Sequence, residues 1–198
     1  MRRLVLATKN RGKVAEFTAL LAFPSIEIVA LSDYEGAPEI REDGATFTEN
    51  AIKKARAAAA FTQEIALADD SGLEVDFLGG QPGVFSARFA GRPGDDAANN
   101  AKLLKLLEGV PWEKRTARFR CVIAIATPAH EIYTAEGTCE GYIGFAPRGE
   151  GGFGYDPLFY VPGEDKTFAE LDLETKNRIS HRGRALTKAR AILERLLK

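Results

Sequence analysis

Three short stretches combine residue types that do chemistry. In Ser180-His181-Arg182-Gly183 a serine able to cap a helix is followed by a histidine and an arginine, so exposed N–H groups and two side-chain donors meet at a helix entrance. Such a place suits a polyphosphate. Gly151-Gly152-Phe153-Gly154-Tyr155-Asp156-Pro157 sets glycines, which let backbone approach a ligand, beside two aromatic faces on which a flat base can stack; a tight turn with buried aromatics is the competing reading. Ala68-Asp69-Asp70-Ser71-Gly72 places paired carboxylates after an apolar run, where they offer hard oxygen ligands, although the same four polar residues also make a good turn. A polyphosphate, a base and a metal together describe a nucleotide hydrolase.

Further candidates surround these. Thr8-Lys9-Asn10-Arg11-Gly12-Lys13 gathers three cations and a glycine at the start of a helix, where free N–H groups and the positive dipole end favour phosphate; it lacks the Walker A spacing, and a solvated basic turn is its alternative. Lys54 lies in an alanine-rich helix, where a lysine ordinarily faces solvent, with a ligand role as the second reading. Glu42 belongs to an acidic loop with Glu39 and Asp43 and is a possible second metal carboxylate, against a reading as surface charge. Because neighbouring strand residues point to opposite faces, Asp69 and Asp70 are expected to differ, one coordinating metal and the other holding the loop through backbone hydrogen bonds. His130 and His181 are the only histidines, and His130 reads as a hairpin turn, so a two-histidine metal site is excluded.

The elements that must position these residues follow from periodicity. Leu4 to Ala7 reads as a buried strand, Gly12 to Leu21 as the helix after it, and Ile26 to Ala30 as a second strand. Thr46-Phe47-Thr48-Glu49 has capping-box spacing and opens a helix to Phe61. Ile65 to Ala68 reads as a strand ending in a turn at Asp69-Asp70-Ser71-Gly72, with strand resuming from Leu73 to Phe77. Breakers at Gly79 to Gly83 and at Pro93-Gly94 precede a leucine-rich helix through Leu107. Alternation from Arg115 to Ala126 and from Ile132 to Ile143 predicts a long antiparallel ribbon turning at Pro128-Ala129-His130, and Leu186, Ala189, Leu193 and Leu196 mark one face of a final helix. The sum is α/β: one domain over 1–198, with a mixed long central sheet and flanking helices.

Composition sets the limits. The chain has 198 residues, 45% of them hydrophobic, enough for a full core, and a formal net charge of −1 with 28% charged residues. Near-neutral charge argues against a nucleic-acid partner, so any anion site must come from local clustering. Cys121 and Cys139 lack metal or redox spacing and read as structural thiols. The N-terminal apolar run is too short for a signal peptide and no segment is apolar enough for a bilayer, so a cytoplasmic protein without membrane partners is expected.

The separated motifs occur together in a known order. Leu6-Ala7-Thr8 through Lys13, Thr46-Phe47 with Glu49-Asn50-Ala51, Ala68 to Gly72, Gly79-Gly80 with Pro82-Gly83, Ser86-Ala87-Arg88, Gly151 to Pro157 and Ile179 to Gly183 resemble the inosine triphosphate pyrophosphatase family over nearly the whole chain. The resemblance implies two lobes around a substrate cleft, Mg²⁺ dependence, a homodimer, and hydrolysis of deaminated purine nucleoside triphosphates to monophosphate and pyrophosphate. It also implies roles. Asp70 would act on the attacking water, with Glu42 and Asp70 on magnesium. Thr8, Lys9, Asn10, Arg11, Gly12 and Lys13 would hold the triphosphate, and Lys54, Ser71, Phe153, Gly154, Tyr155, Asp156, Lys176, His181 and Arg182 would contact the substrate. Lys9 stands where many relatives carry glycine. The alternatives are a septum-inhibitor-like nucleotide pyrophosphatase, whose S-x-S-P-R-R segment is absent here, a noncatalytic nucleotide sensor, and an RNA-binding module.

Overall fold

The computed structural model describes residues 2–9, 11–21, 23 and 26–198; Asn10 and the side chain of Arg11 lie outside the described set. The strands are β1 (Arg2–Leu6), β2 (Ile26–Ala30), β3 (Ile65–Val75), β4 (Thr116–Ala126), β5 (Ile132–Ile143), β6 (Phe159–Val161) and β7 (Lys166–Thr167). They hydrogen-bond in the order β2-β1-β3-β4-β5-β6-β7. The helices are α1 (Arg11–Leu20), α2 (Phe47–Thr62), α3 (Asp96–Leu106), α4 (Leu173–Ile179) and α5 (His181–Leu196). The expected mixed α/β class and long β4–β5 ribbon are both present, with His130 at φ 66° in the connecting turn.

The chain groups into two compact units, each with its own apolar core. The first comprises the chain up to Asp70 with Cys121–Gly137 and Arg182–Lys198. Its core joins Leu4 and Leu6 of β1, Phe17 of α1, Leu67 of β3, Ile123 and Ile125 of β4, and the stripe Ala185, Leu186, Ala189 and Leu193 of α5. That stripe recurs at helical spacing, which is why α5 can cover the strands. The second unit comprises Ser71–Arg120 and Thr138–His181. Leu73, Leu103, Phe119, Tyr155, Phe159 and Phe168 are among its core residues.

β3 departs from the sequence expectation. It runs unbroken from Ile65 to Val75, so Asp69-Asp70-Ser71-Gly72 is strand and not turn. The cause is the sheet. β1 runs parallel to β3 with Leu6 opposite Leu67, and the Ala7 N–H donates to the Leu67 carbonyl at 2.8 Å, where that ladder stops. β4 is the other neighbour of β3 in the sheet, and a strand flanked on both sides satisfies its backbone groups by staying extended. Asp69 and Asp70 therefore lie in register just past the carboxyl end of β1, the kind of place where open α/β sheets present their ligands.

Candidate active site

In the first unit, α1, α2, β3, α5 and the acidic loop before α2 bring six expected residues together: Lys13, Glu42, Lys54, Asp69, Asp70 and Arg182. α2 is capped by Thr46, whose hydroxyl accepts the Glu49 N–H, while the Glu49 carboxylate accepts the N–H of Ala45. Once the helix is fixed in this way, Asn50 and Lys54 sit one turn apart on the same face. The Asn50 amide donates to Asp70 Oδ2 at 2.8 Å and accepts the Gly44 N–H at 2.8 Å, so one side chain ties the acidic loop to β3. Only glycine fits at position 44, since a Cβ there would lie 2.7 Å from Asn50 Oδ1. Lys54 donates to the Glu42 carboxylate and, at 2.5 Å, to the Asp69 carbonyl. Its reading as a solvated lysine is overturned, because the side chain is buried. Burial opposes its charge, yet Asp69, Glu42 and Asp70 hold the ammonium above its ordinary value.

The two adjacent aspartates point to opposite faces and their proton affinities shift in opposite directions. Asp69 Oδ2 accepts from Lys13 Nζ at 2.8 Å, and Arg182 Nε lies 3.8 Å away. Burial by itself would raise this carboxyl, but Lys13, Arg182 and Lys54 outweigh it and hold it at about 2. Arg182 in turn pairs with Glu16, one turn after Lys13 on α1. One of the two aspartates is expected from sequence to hold the loop through backbone hydrogen bonds; the Asp69 side chain instead anchors two cations. Asp70 behaves in the other direction. Burial lifts its carboxyl to about 6 against the pull of Lys54 and the Asn50 amide, and Glu42 adds to the rise. Cys121 is inert by comparison, since burial, with Asp69 beside it, pushes its thiol up to about 12.

The acidic loop is also resolved into separate roles. Asp43 pairs with exposed Lys53 at 2.5 Å, and Glu39 with Lys9 at 3.7 Å on the surface. Glu42 is the acid that meets Lys54 and acts electrostatically on Asp70. Lys9 is therefore an exposed surface cation, whereas Lys13 is mostly covered. Thr8 and Gly12 are half-buried, Arg11 opens α1, and Asn10 lies outside the described residues.

In the second unit the glycine-rich turn is held from several sides. Gly152 and Gly154 have φ of +70° and +62°, and a Cβ on Gly152 would fall 2.1 Å from Asp156 Oδ2. That oxygen accepts the Phe153 N–H at 3.0 Å and Lys176 Nζ at 2.8 Å. Lys176 and Asp156 are thus a buried ion pair that supports the turn, and the Lys176 ammonium lies 5.2 Å from the Phe153 ring centroid. Phe153 is half-buried. Tyr155, expected as a second stacking face, is buried in the core, with its hydroxyl donating to the Ser86 carbonyl at 2.7 Å. Burial raises that phenol well above its usual value, so it stays protonated. His181 is buried too, its ring stacked on Phe119 at 4.7 Å and 13°. Ser71 follows Asp70 on β3 and is half-buried.

Sequence reasoning missed Asn50, Glu16 and Phe119 as supports. Two had a signal: Asn50 stands four residues before Lys54, and Glu16 three after Lys13, both same-face spacings on a helix. Phe119 had none beyond strand alternation.

The model of the Ham1 family matches residues 4–192. A dITP/XTP pyrophosphatase of Desulforamulus reducens is 66% identical over 194 residues, covering 98% of this chain and 96% of that protein. A dITP/XTP pyrophosphatase of Geobacillus kaustophilus is 57% identical over 188 residues, 95% of this chain and 92% of its own length. Among solved structures, a HAM1 protein from Coxiella burnetii superposes with a TM-score of 0.89 at 45% identity, covering 98% of this chain and all (100%) of that one. The chain belongs to the Ham1 family. The resemblance read from the separated motifs is borne out.

Proposed function

We propose that the chain is a Mg²⁺-dependent nucleoside-triphosphate pyrophosphatase that cleaves deaminated purine nucleotides (ITP, dITP, XTP) to the monophosphate and pyrophosphate, removing them from the nucleotide pool. The observation that carries the reading is the geometry at Asp70, a buried carboxyl whose Oδ2 accepts from the Asn50 amide at 2.8 Å, beside Lys54, which donates to the Glu42 carboxylate and to the Asp69 carbonyl. A carboxylate held in one orientation suits a group that orients or deprotonates water. The relatives named dITP/XTP pyrophosphatases support the substrate class.

The donor set fits magnesium. Asp70 and Glu42 are hard oxygen donors, a divalent cation would relieve their mutual repulsion and the burial of Asp70, and Mg²⁺ takes one or two carboxylates while keeping several waters. Bound there, the ion would neutralise charge on the phosphates. Asp70 orients the water that attacks the α-phosphorus; the α–β anhydride bond breaks, water's oxygen stays on the monophosphate, and pyrophosphate leaves. Lys13, held by Asp69, and Lys54, held by Glu42, stabilise the oxygens on which charge grows, with Arg182 behind Lys13. Thr8, Lys9, Asn10, Arg11 and Gly12 complete the phosphate cradle, with Ser71 beside Asp70.

Base recognition falls to the second unit. Phe153 stacks on the purine from a turn kept in shape by Asp156 and Lys176, with Gly154 leaving room and Tyr155 buttressing from the core. Stacking on Phe119 fixes the plane of His181, so its polar contacts are made at the ring edge, toward the 6-keto oxygen of the base. Adenine presents an amino donor at that position and is disfavoured by facing donors. A homodimer in the cytoplasm completes the reading; no helix among the described residues is long and apolar enough to cross a membrane. The test is a panel of standard and deaminated triphosphates with pyrophosphate detection, with Mg²⁺ and with chelator. Pyrophosphate from ITP, dITP and XTP, far slower turnover of ATP, and loss of activity on chelation are expected. Release of orthophosphate, or turnover blind to the base, would overturn the assignment.

A further inference from the structure

We infer that Asp96 and Asn100, one turn apart on α3, are positioning residues that set the aromatic platform of Phe153 by clamping the peptide that follows it. The inference rests on the proposal that Phe153 stacks on the purine. Asp96 Oδ2 accepts the Gly154 N–H at 2.7 Å, and Asn100 Nδ2 donates to the Gly154 carbonyl at 2.9 Å. The donor and the acceptor of one glycine are thus both held by side chains of a single helix face. On the other side of Phe153, Asp156 Oδ2 accepts the Phe153 N–H at 3.0 Å and the Asp156 N–H donates to the Phe153 carbonyl at 3.2 Å. Four backbone groups around one half-buried ring are spoken for, and Gly154 is held at φ +62°.

Asn100 carries a further sign that the clamp serves more than the fold. Its amide nitrogen donates to two carbonyls, Asp96 O at 2.9 Å and Gly154 O, which fixes the amide orientation, and its Oδ1 is buried with no hydrogen-bond partner among the described residues. An orphaned buried acceptor is unfavourable, and an apolar side chain would spare the fold that loss. α3 is itself well anchored, with Asp95 accepting the Ala98 N–H at 3.0 Å as its cap and Asn99 buried against the Ala87 and Ala90 backbone. The helix therefore does not need Asp96 or Asn100 for its own placement. A mobile turn would lose the preorganised stacking face while leaving the phosphate and metal groups untouched.

The test compares wild type, Asp96→Ala, Asp96→Asn and Asn100→Leu in steady-state hydrolysis of ITP, with inorganic tripolyphosphate as a base-free competitive probe. Asp96→Ala and Asn100→Leu should raise KM for ITP by about tenfold, within what stacking on an aromatic is worth, at nearly unchanged kcat. Asp96→Asn, which keeps an oxygen acceptor, should recover wild-type KM, and inhibition by tripolyphosphate should stay the same in all four proteins. If either variant that loses a clamp bond is folded and its KM is unaltered, or if tripolyphosphate binding weakens in parallel with KM, the clamp is merely structural and the inference fails. A wild-type enzyme that releases no pyrophosphate from ITP would instead overturn the proposed function itself, and is seen in the same assay before any variant is compared.

Discussion

The two clusters are built on opposite principles. In the first unit, the cluster is built from side chains, and each charge is defined by other charges: Lys13 by Asp69, Lys54 by Glu42, Arg182 by Glu16. In the second, the turn over 151–157 is defined through its backbone, with Asp156 and Asp96 accepting N–H groups and Asn100 donating to a carbonyl. The first cluster holds electrostatic potential in place, which suits the phosphoryl chemistry proposed for it, and the second holds a shape, which suits the proposed recognition of a flat base. Substitutions in the first should therefore change rate and pH dependence, and those in the second affinity.

The largest effect tests the electrostatic half. Asp70→Asn should lower kcat by about 10² to 10⁴, because metal binding and water orientation both weaken, while the protein stays folded. The same substitution has a stability signature. Asp70's folded value of about 6 lies above its ordinary 3.8, so its contribution is complete below about pH 4 and is lost as pH rises through 6. In chelator, Asp70→Asn should thus melt above wild type at pH 8, by at most ~3 kcal/mol, and match it near pH 4. A variant with wild-type turnover, or one less stable than wild type at pH 8, would break the contrast.

Next in size, Asp69→Asn should destabilise the protein by about 3 kcal/mol at pH 7, since Lys13 and Arg182 lose a buried counter-charge while Arg182 keeps Glu16. Here the pH sign reverses. A carboxyl held near 2 stabilises above its unfolded value and loses that contribution only as pH falls toward 2. Denaturant titrations of both aspartate variants across pH would show the two adjacent residues moving in opposite directions; parallel curves would refute the distinct roles.

The smallest effect belongs to the shape half. Phe153→Ala should weaken ITP and ATP alike by roughly 1 to 3 kcal/mol in kcat/KM, leaving their ratio intact, because stacking is nearly indifferent to which purine is present. Collapse of that ratio would mean that the ring and not the hydrogen-bonding edge selects the base.

What the sequence determined by itself was local and chemical. Periodicity located both ends of the β4–β5 ribbon and the α5 stripe, Thr46 and Glu49 marked the start of α2, and glycines flanking Phe153 marked a turn that needs positive φ. Residue types alone named Asp70, Lys13 and the turn as candidates, and motif order named the family. Tertiary structure decided the rest. It drew Asp69-Asp70-Ser71-Gly72 into a continuous strand between β1 and β4 in the sheet, where tertiary context overrides the turn preference of four residues. It buried Lys54, which composition read first as a solvated cation, settled Tyr155 as a buried aromatic of the turn and not an open stacking face, and paired Glu42, not Asp43 or Glu39, with Lys54. It also gave two identical neighbouring carboxyls values of about 2 and about 6. Sequence could foresee that adjacent strand residues face opposite ways; which face carried Lys13 and Arg182 depended on partners more than a hundred residues apart in the chain, and the Coulomb interactions that set a proton affinity follow distance in space.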